Sequence, residues 1–411
     1  MDGDSGRQRP VSSLLRRVLI FGGRRVPRRD DAQTSPIMTP NRLQRLHDVG
    51  QSLWLDYIDR TMLGNGDLAR RIRDDALTGM TSNPTIFEKA LAEGDAYDEQ
   101  LGGAPPALTP WERFELVETT DVRTACDMFR PVYEATHGAD GYVSIEVSPG
   151  AANDAGATVD EAHRLWKTVD RPNVMIKVPG TVEGASALRR LIADGLNVNV
   201  TLLFAVAAHE RIIDAYIAGI EDAAAAGHRL DRLASVASFF VSRVDSEIDK
   251  RLDALAAATP ANAAALAALK GKAAIANAKL AYALFQRKFT GPRWDALAAK
   301  GARVQRPLWA STSTKNPSYR DVMYVEQLIG PDTVNTLPPA TLEAFRDHGE
   351  VARTVDSDVE GARRTIAGLE AAGVALTDVT DKLLREGIAS FQKSFDGLLV
   401  RLAEPAMTLR K

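Results

Sequence analysis

The chain holds a single cysteine, Cys126, among its 411 residues. No intrachain disulfide can form, which fits a reducing compartment and makes a cytoplasmic protein the expectation. Aromatic residues are scarce at 6%, while alanine runs are frequent, a balance that favours much helix. No stretch approaches the roughly 18 consecutive apolar residues of a membrane span, so no membrane association is expected. Neither sign of charge dominates: 51 basic and 54 acidic side chains give −3, unlike the strong basicity of a dedicated nucleic-acid binder. The six histidines (His47, His137, His163, His209, His228 and His348) are dispersed, without H-x-H or H-E-x-x-H spacing, and no histidine- or cysteine-rich metal site is expected. No glycine-rich phosphate loop follows a strand-like run, so no nucleotide cofactor is expected.

The hydrophobic fraction of 45% is enough to build a full core and excludes disorder over most of the length. Residues 1–37 differ from the rest. They carry eight arginines against four aspartates, a net +4 that leaves −7 for residues 38–411. A disordered basic arm, a targeting peptide, or upstream sequence ahead of a biological start at Met38 would each fit. The onset of helical patterning after Met38, with Thr39-Pro40 as cap and first turn, favours the first and the last of these. The remainder divides into a body over 38–350 and a helical C-terminal part over 351–411, expected to pack on the body. The body includes an alanine-rich helical insertion near 250–300, broken near Thr259-Pro260.

Eight short β-type runs recur, with helical patterns between them: Leu53–Ile58, Gly79–Asn83, Tyr142–Ser148, Asn173–Val178, Asn197–Leu203, Ser235–Val241, Pro307–Ser311 and Thr333–Leu337. That rhythm implies a parallel sheet, either doubly wound or closed into a (β/α)8 barrel. Side-chain parity chooses between them, because residues two apart share a strand face. Ser144, Glu146 and Ser148 oppose Val143, Ile145 and Val147; Asn197, Asn199 and Thr201 oppose Val198, Val200 and Leu202. Central strands of a doubly wound sheet are apolar on both faces. One apolar and one polar face fits an α/β fold of the (β/α)8 TIM-barrel type with additional helices, whose active sites lie at the C-terminal ends of the strands.

Several residues on the polar faces are candidates for chemistry. A lysine in an apolar strand, Lys177, must find a partner, reach water or shed its proton, and a neutral amine attacks ketones to form a Schiff base. Taken alone, a strand-end surface charge is the more common role for such a lysine. Asp56 is either a used carboxylate or the ion-pair partner of Arg60. Glu146 is either catalytic or bonded to nearby backbone. Asn83, before Pro84, has the pattern of a helix cap. Asn199 and Thr201 could be a structural polar pair. Arg243, Ser238 and the run Ser311–Lys315, including Ser313, offer anion ligands, with an Arg243–Asp245 ion pair and an ordinary polar turn as the plain alternatives. Convergence favours chemistry, because a closed barrel would bring these strand ends into one cavity.

In these segments, above all Met80–Phe87, Val143–Pro149, Asn173–Thr181, Asn197–Phe204 and Ala237–Arg243, the chain resembles transaldolase of the longer bacterial type, from about Gln51 to about Gly349 and more loosely beyond. The resemblance implies a metal-free, cofactor-free class I aldol mechanism in the non-oxidative pentose phosphate pathway. Sugar phosphates would be the substrates, and the protein a monomer or homodimer. It implies Lys177 as the Schiff-base lysine, Asp56 as the acid/base at the donor's C4 hydroxyl, and Glu146 with Thr201 positioning a water. Asn83 and Asn199 would orient hydroxyls, Ser238 would lie beside the donor, and Arg243 would bind phosphate. Shorter transaldolases carry a second phosphate arginine where this chain has Lys315 beside Ser313, a point charge in place of a planar fork. Three rivals remain: an aldolase that releases free dihydroxyacetone, a non-catalytic sugar-phosphate binder, and nucleic-acid binding through the basic tail.

Overall fold

The computed structural model describes residues 40–403. The expectations for residues 1–37 lie outside the described residues. Eight strands form one closed parallel barrel in chain order: β1 (Gln51–Asp56), β2 (Leu77–Thr81), β3 (Tyr142–Glu146), β4 (Val174–Pro179), β5 (Val198–Leu203), β6 (Ser235–Phe240), β7 (Arg306–Ala310) and β8 (Thr333–Leu337). The barrel expected from parity is thus the fold observed. Alternate residues such as Ile145, Ile176, Val198 and Val200 are fully buried on the outer face. The helices that cover that face include Pro110–Ala135, Ala155–Val169, Val182–Ala193 and Val206–Ala225.

The polar face points inward. Hydrogen bonds between strands that are not neighbours can only cross the barrel interior, and several do. Asn199 of β5 donates to Ser144 of β3 (3.0 Å), and the Thr81 hydroxyl of β2 lies 3.1 Å from that of Thr336 in β8. Near the N-terminal ends, Arg306 of β7 donates to Ser52 of β1 (2.6 Å), and Trp54 donates to Asp140 (2.8 Å). Buried polar groups that find partners in this way stabilise the interior instead of costing desolvation energy. The Trp54 ring occupies the space beside Gly79, where an added Cβ would stand 2.5 Å from the indole. A residue with no side chain is therefore required there.

Three details depart from the expectations. The first described helix, Arg42–Asp48, is capped by Asn41 rather than by Thr39-Pro40. The Asn41 side chain accepts from Gln44 N while the Gln44 side chain accepts from Asn41 N, a reciprocal box that satisfies two free donors. The strand expected to run to Asn83 stops at Thr81, and the one expected to run to Ile58 stops at Asp56. The alanine-rich insertion does break after Ala258, but into a 3-10 turn and two helices, Ala263–Ala267 and Ala273–Lys288.

The C-terminal helix, Leu376–Ala403, crosses the C-terminal side of the barrel. Its Gly387 allows it to approach Leu202, whose side chain would lie 2.9 Å from an added Cβ. Leu202 sits at an irregularity in β5 with φ of 59°, a bulge of the sort that re-aims side chains at barrel rims. Farther along, Ser394 accepts from Thr85 (2.9 Å), and Phe395 stacks edge-on against Phe114 (5.7 Å). No helix among the described residues is long and apolar enough to cross a membrane.

Candidate active site

Parallel register places Glu146 of β3 beside Lys177 of β4, and Lys177 beside Asn199 of β5. All three point inward, so the lysine is enclosed by strand neighbours. Lys177 Nζ donates to Glu146 Oε2 (3.0 Å) and to the Ser82 carbonyl (3.1 Å). Both side chains of the pair are buried, at 6% and 3% exposure. The remaining side of the amine faces the Phe391 ring, 5.8 Å from Nζ to the centroid.

Above this pair lies a cavity of about 320 Å³. Asp56, Asn83, Lys177, Thr201, Ser238, Arg243, Ser313 and Lys315 all line it. Of the six residues expected to converge, Asp56, Asn83, Lys177 and Thr201 line the cavity, together with the anion-ligand candidates Ser238, Arg243, Ser313 and Lys315. Glu146 and Asn199 lie behind the lining. Asn199 spends both ends of its amide inside the barrel, donating to Ser144 and accepting from Ser238 (2.7 Å). It holds Ser238 at the cavity floor.

The alternatives weighed from sequence divide. Asp56 is not paired with Arg60, which binds Asp121 (2.7 Å); Asp56 instead accepts from Thr81 (2.9 Å). Arg243 is not paired with Asp245, whose carboxylate accepts from Ala274 N (2.8 Å) and Tyr324 (2.9 Å). Its guanidinium lies over the Phe240 ring, 5.3 Å away. Asn83 does cap the helix Pro84–Ala92, accepting from Ile86 N (3.0 Å), and it also faces the cavity. Thr201 Oγ1 is buried and has no hydrogen-bond partner among the described residues. A buried hydroxyl without a partner is costly, and its place on the cavity wall supplies a reason for it.

Electrostatics follow from enclosure. Burial pushes the Asp56 carboxyl above its ordinary range, against the pull of Lys177, the Thr81 hydrogen bond, Arg243 and Lys315. Burial raises Glu146 as well, opposed by the charge and hydrogen bond of Lys177 and assisted by Asp56. Burial lowers Arg243, partly offset by Asp56. Lys315, which donates to Ser313 (2.7 Å), is lowered by burial and then by Arg243. Two carboxyls with raised proton affinity around an enclosed amine can give and take protons near neutral pH. Two cations at the outer wall can hold an anionic group.

Sequence reasoning missed several lining residues: Thr81, Thr85, Lys89, Thr336, Ser390 and Phe391. Thr85 and Lys89 follow the Asn83 cap at helical spacing, so periodicity in Pro84–Ala92 could have shown them. Ser390 and Phe391 lie in a helix whose sequence carries only amphipathic periodicity, and nothing local points them at Lys177.

The profile of the family described as Transaldolase/Fructose-6-phosphate aldolase matches residues 53–402. A protein of Thermobifida fusca (strain YX) named Transaldolase is 50% identical over 364 residues, covering 88% of this chain and 97% of that protein. A Transaldolase of Acidothermus cellulolyticus (strain ATCC 43068 / DSM 8971 / 11B) is 49% identical over 358 residues, covering 87% and 94%. A protein of Nostoc sp. (strain PCC 7120 / SAG 25.82 / UTEX 2576) named Transaldolase 2 is 47% identical over 368 residues, covering 88% and 97%. With half of its residues shared over nearly the whole of such relatives, and a profile match spanning the barrel and the C-terminal helix, the chain belongs to the transaldolase/fructose-6-phosphate aldolase family.

Proposed function

We propose that this chain is a transaldolase of the non-oxidative pentose phosphate pathway. It transfers a dihydroxyacetone unit from sedoheptulose 7-phosphate to glyceraldehyde 3-phosphate, giving erythrose 4-phosphate and fructose 6-phosphate. It works in the cytoplasm as a monomer or homodimer. The observation that carries this reading is the enclosed Lys177 amine, bonded to Glu146, in a cavity whose far wall holds Arg243 and Lys315.

In this mechanism the Lys177 amine attacks the donor's ketone and forms a carbinolamine. Glu146 carries protons from nitrogen to oxygen, with a water held between Glu146 and Thr201, so that the hydroxyl leaves as water and an iminium forms. Asp56 then takes the proton of the C4 hydroxyl. The C3–C4 bond breaks, its electrons flow into the iminium, and an aldehyde and a neutral enamine result. The iminium is the electron sink. The acceptor aldehyde enters, the enamine carbon attacks it, and Asp56 returns its proton to the new hydroxyl. Asn83 and Ser238 orient the donor's hydroxyls, with Asn199 holding Ser238. Arg243 and Lys315, with Ser313, hold the phosphate.

Borohydride with fructose 6-phosphate should reduce the iminium and label Lys177 irreversibly, which peptide mapping reads. Turnover without an adduct at Lys177 would refute the assignment. A coupled assay run with and without an acceptor aldehyde separates the possibilities. Transfer requires the acceptor, an aldolase releases dihydroxyacetone without it, and a binder turns over neither.

A further inference from the structure

The proposed mechanism leaves one deeply buried carboxyl unused. Glu118, in the helix Pro110–Ala135, is 3% exposed. Among the described residues it forms no hydrogen bond or ion pair with another protein group. It shares with Glu146 the lining of a small cavity of about 10 Å³, the room for roughly one water. Glu161 and Ser148 face the same cavity, and Ser148 already satisfies Glu161 through its N–H (3.0 Å) and hydroxyl (2.7 Å). The charged groups around Glu118 are Glu115 on its own helix, Glu161 and Arg164 on Ala155–Val169, Glu146 on β3 and Lys177 on β4. Arg164 is held by Glu115. Phe114 and Phe395 also line the cavity.

Schiff-base formation converts an ammonium and a ketone into an iminium and water. Two protons leave nitrogen and two reach oxygen, with no net change. A single carboxylate holds one proton at a time. We propose that Glu118 is a positioning residue for this step: across the one-water cavity it shares a proton with Glu146, so that the pair can accept a proton from nitrogen while still able to give one to the departing hydroxyl. Hydrolysis of the final Schiff base runs the same transfers backwards and restores the pair. Burial, and then the charges of Glu161 and Glu146, hold the Glu118 carboxyl well above its ordinary range, which favours its protonated form.

This inference rests on the Schiff-base reading above, and its test separates the two. Glu118→Gln keeps the shape and polarity of a neutral acid but cannot exchange a proton. The expected result is a kcat at least tenfold lower, with KM within about twofold. The basic limb of the kcat/KM profile should move about one pH unit lower, because Glu146 no longer shares a proton. Glu118→Asp should recover part of both. If Glu118 is only structural, Glu118→Gln will keep the wild-type rate and pH profile while wild type still gives the Lys177 adduct, and the inference falls alone. Absence of that adduct in wild type would instead remove the reading beneath it. Should Glu118→Gln fail to fold, Glu118→Asp decides: a lowered kcat with the basic limb moved the same way supports the proposal, and the wild-type rate and profile overturn it.

Discussion

Replacing Lys177 by methionine preserves much of the side chain's volume but removes its charge and its hydrogen bond to Glu146. The two groups meet at 3.0 Å with almost no solvent contact, so Glu146 is left as a buried carboxyl with no cation beside it. Breaking a buried pair from one side costs about 3–5 kcal/mol. The cost depends on pH, and the sign follows from proton binding. Burial already raises Glu146 above its ordinary value of 4.5, and Lys177 is the main influence holding it down. In Lys177→Met the folded-state affinity for a proton rises further. Below 4.5 Glu146 is protonated whether folded or unfolded, and the extra cost is small. As pH climbs through the folded value, the unfolded chain releases its proton before the folded one does, and stability is lost. The difference between wild type and variant should therefore be small below pH 4.5 and grow with rising pH toward about 3–5 kcal/mol. Urea unfolding at several pH values reads it as a shift in midpoint with unchanged slope. The double variant Lys177→Met/Glu146→Gln should recover most of the loss. A difference independent of pH, or no recovery in the double variant, would refute the claim that Glu146 is enclosed and held by this lysine.

Two further outcomes follow from the same geometry. Arg243→Ala and Lys315→Ala should each raise KM for fructose 6-phosphate about tenfold or more, the scale of a charged hydrogen bond, while leaving turnover of unphosphorylated fructose nearly unchanged. Equal losses on both substrates would show that these cations do not hold the phosphate. His209 is fully buried, with both ring nitrogens lacking partners among the described residues, and burial pushes it down to about 4. The unfolded chain takes up this proton from about pH 6.5 downward while the folded one resists until about 4. That residue should cost roughly 3 kcal/mol of stability across the window. His209→Leu should lose that dependence relative to wild type, and parallel stability curves between pH 7 and 4 would contradict it.

Much of the barrel was legible because strands impose a period of two over a few residues. In β3 and β5, polar and apolar side chains alternate, and that alternation is local. The strand ends were less legible. Asn83 before Pro84 carries a cap signal yet also ends a strand-like run, and the structure shows a cap that faces the cavity as well. Ion-pair partners were not legible at all. Arg60 lies four residues from Asp56 yet binds Asp121, and Asp245 lies two residues from Arg243 yet binds Tyr324. Long side chains choose partners by distance in space, which sequence separation does not measure.

The sequence by itself determined the eight-stranded rhythm, the polar inner face and the placing of Lys177, Asp56 and Glu146 at strand ends, because each follows from short-range periodicity. Only the tertiary structure decided that Lys177 donates to Glu146, that Asn199 supports Ser238 from beneath, and that Phe391 of the last helix closes over the amine. It also placed Glu118 and Glu146 on the lining of one small cavity. These contacts join segments far apart in the chain. They exist only once ring closure and helix packing fix the distances, and with them the burial that tunes each proton.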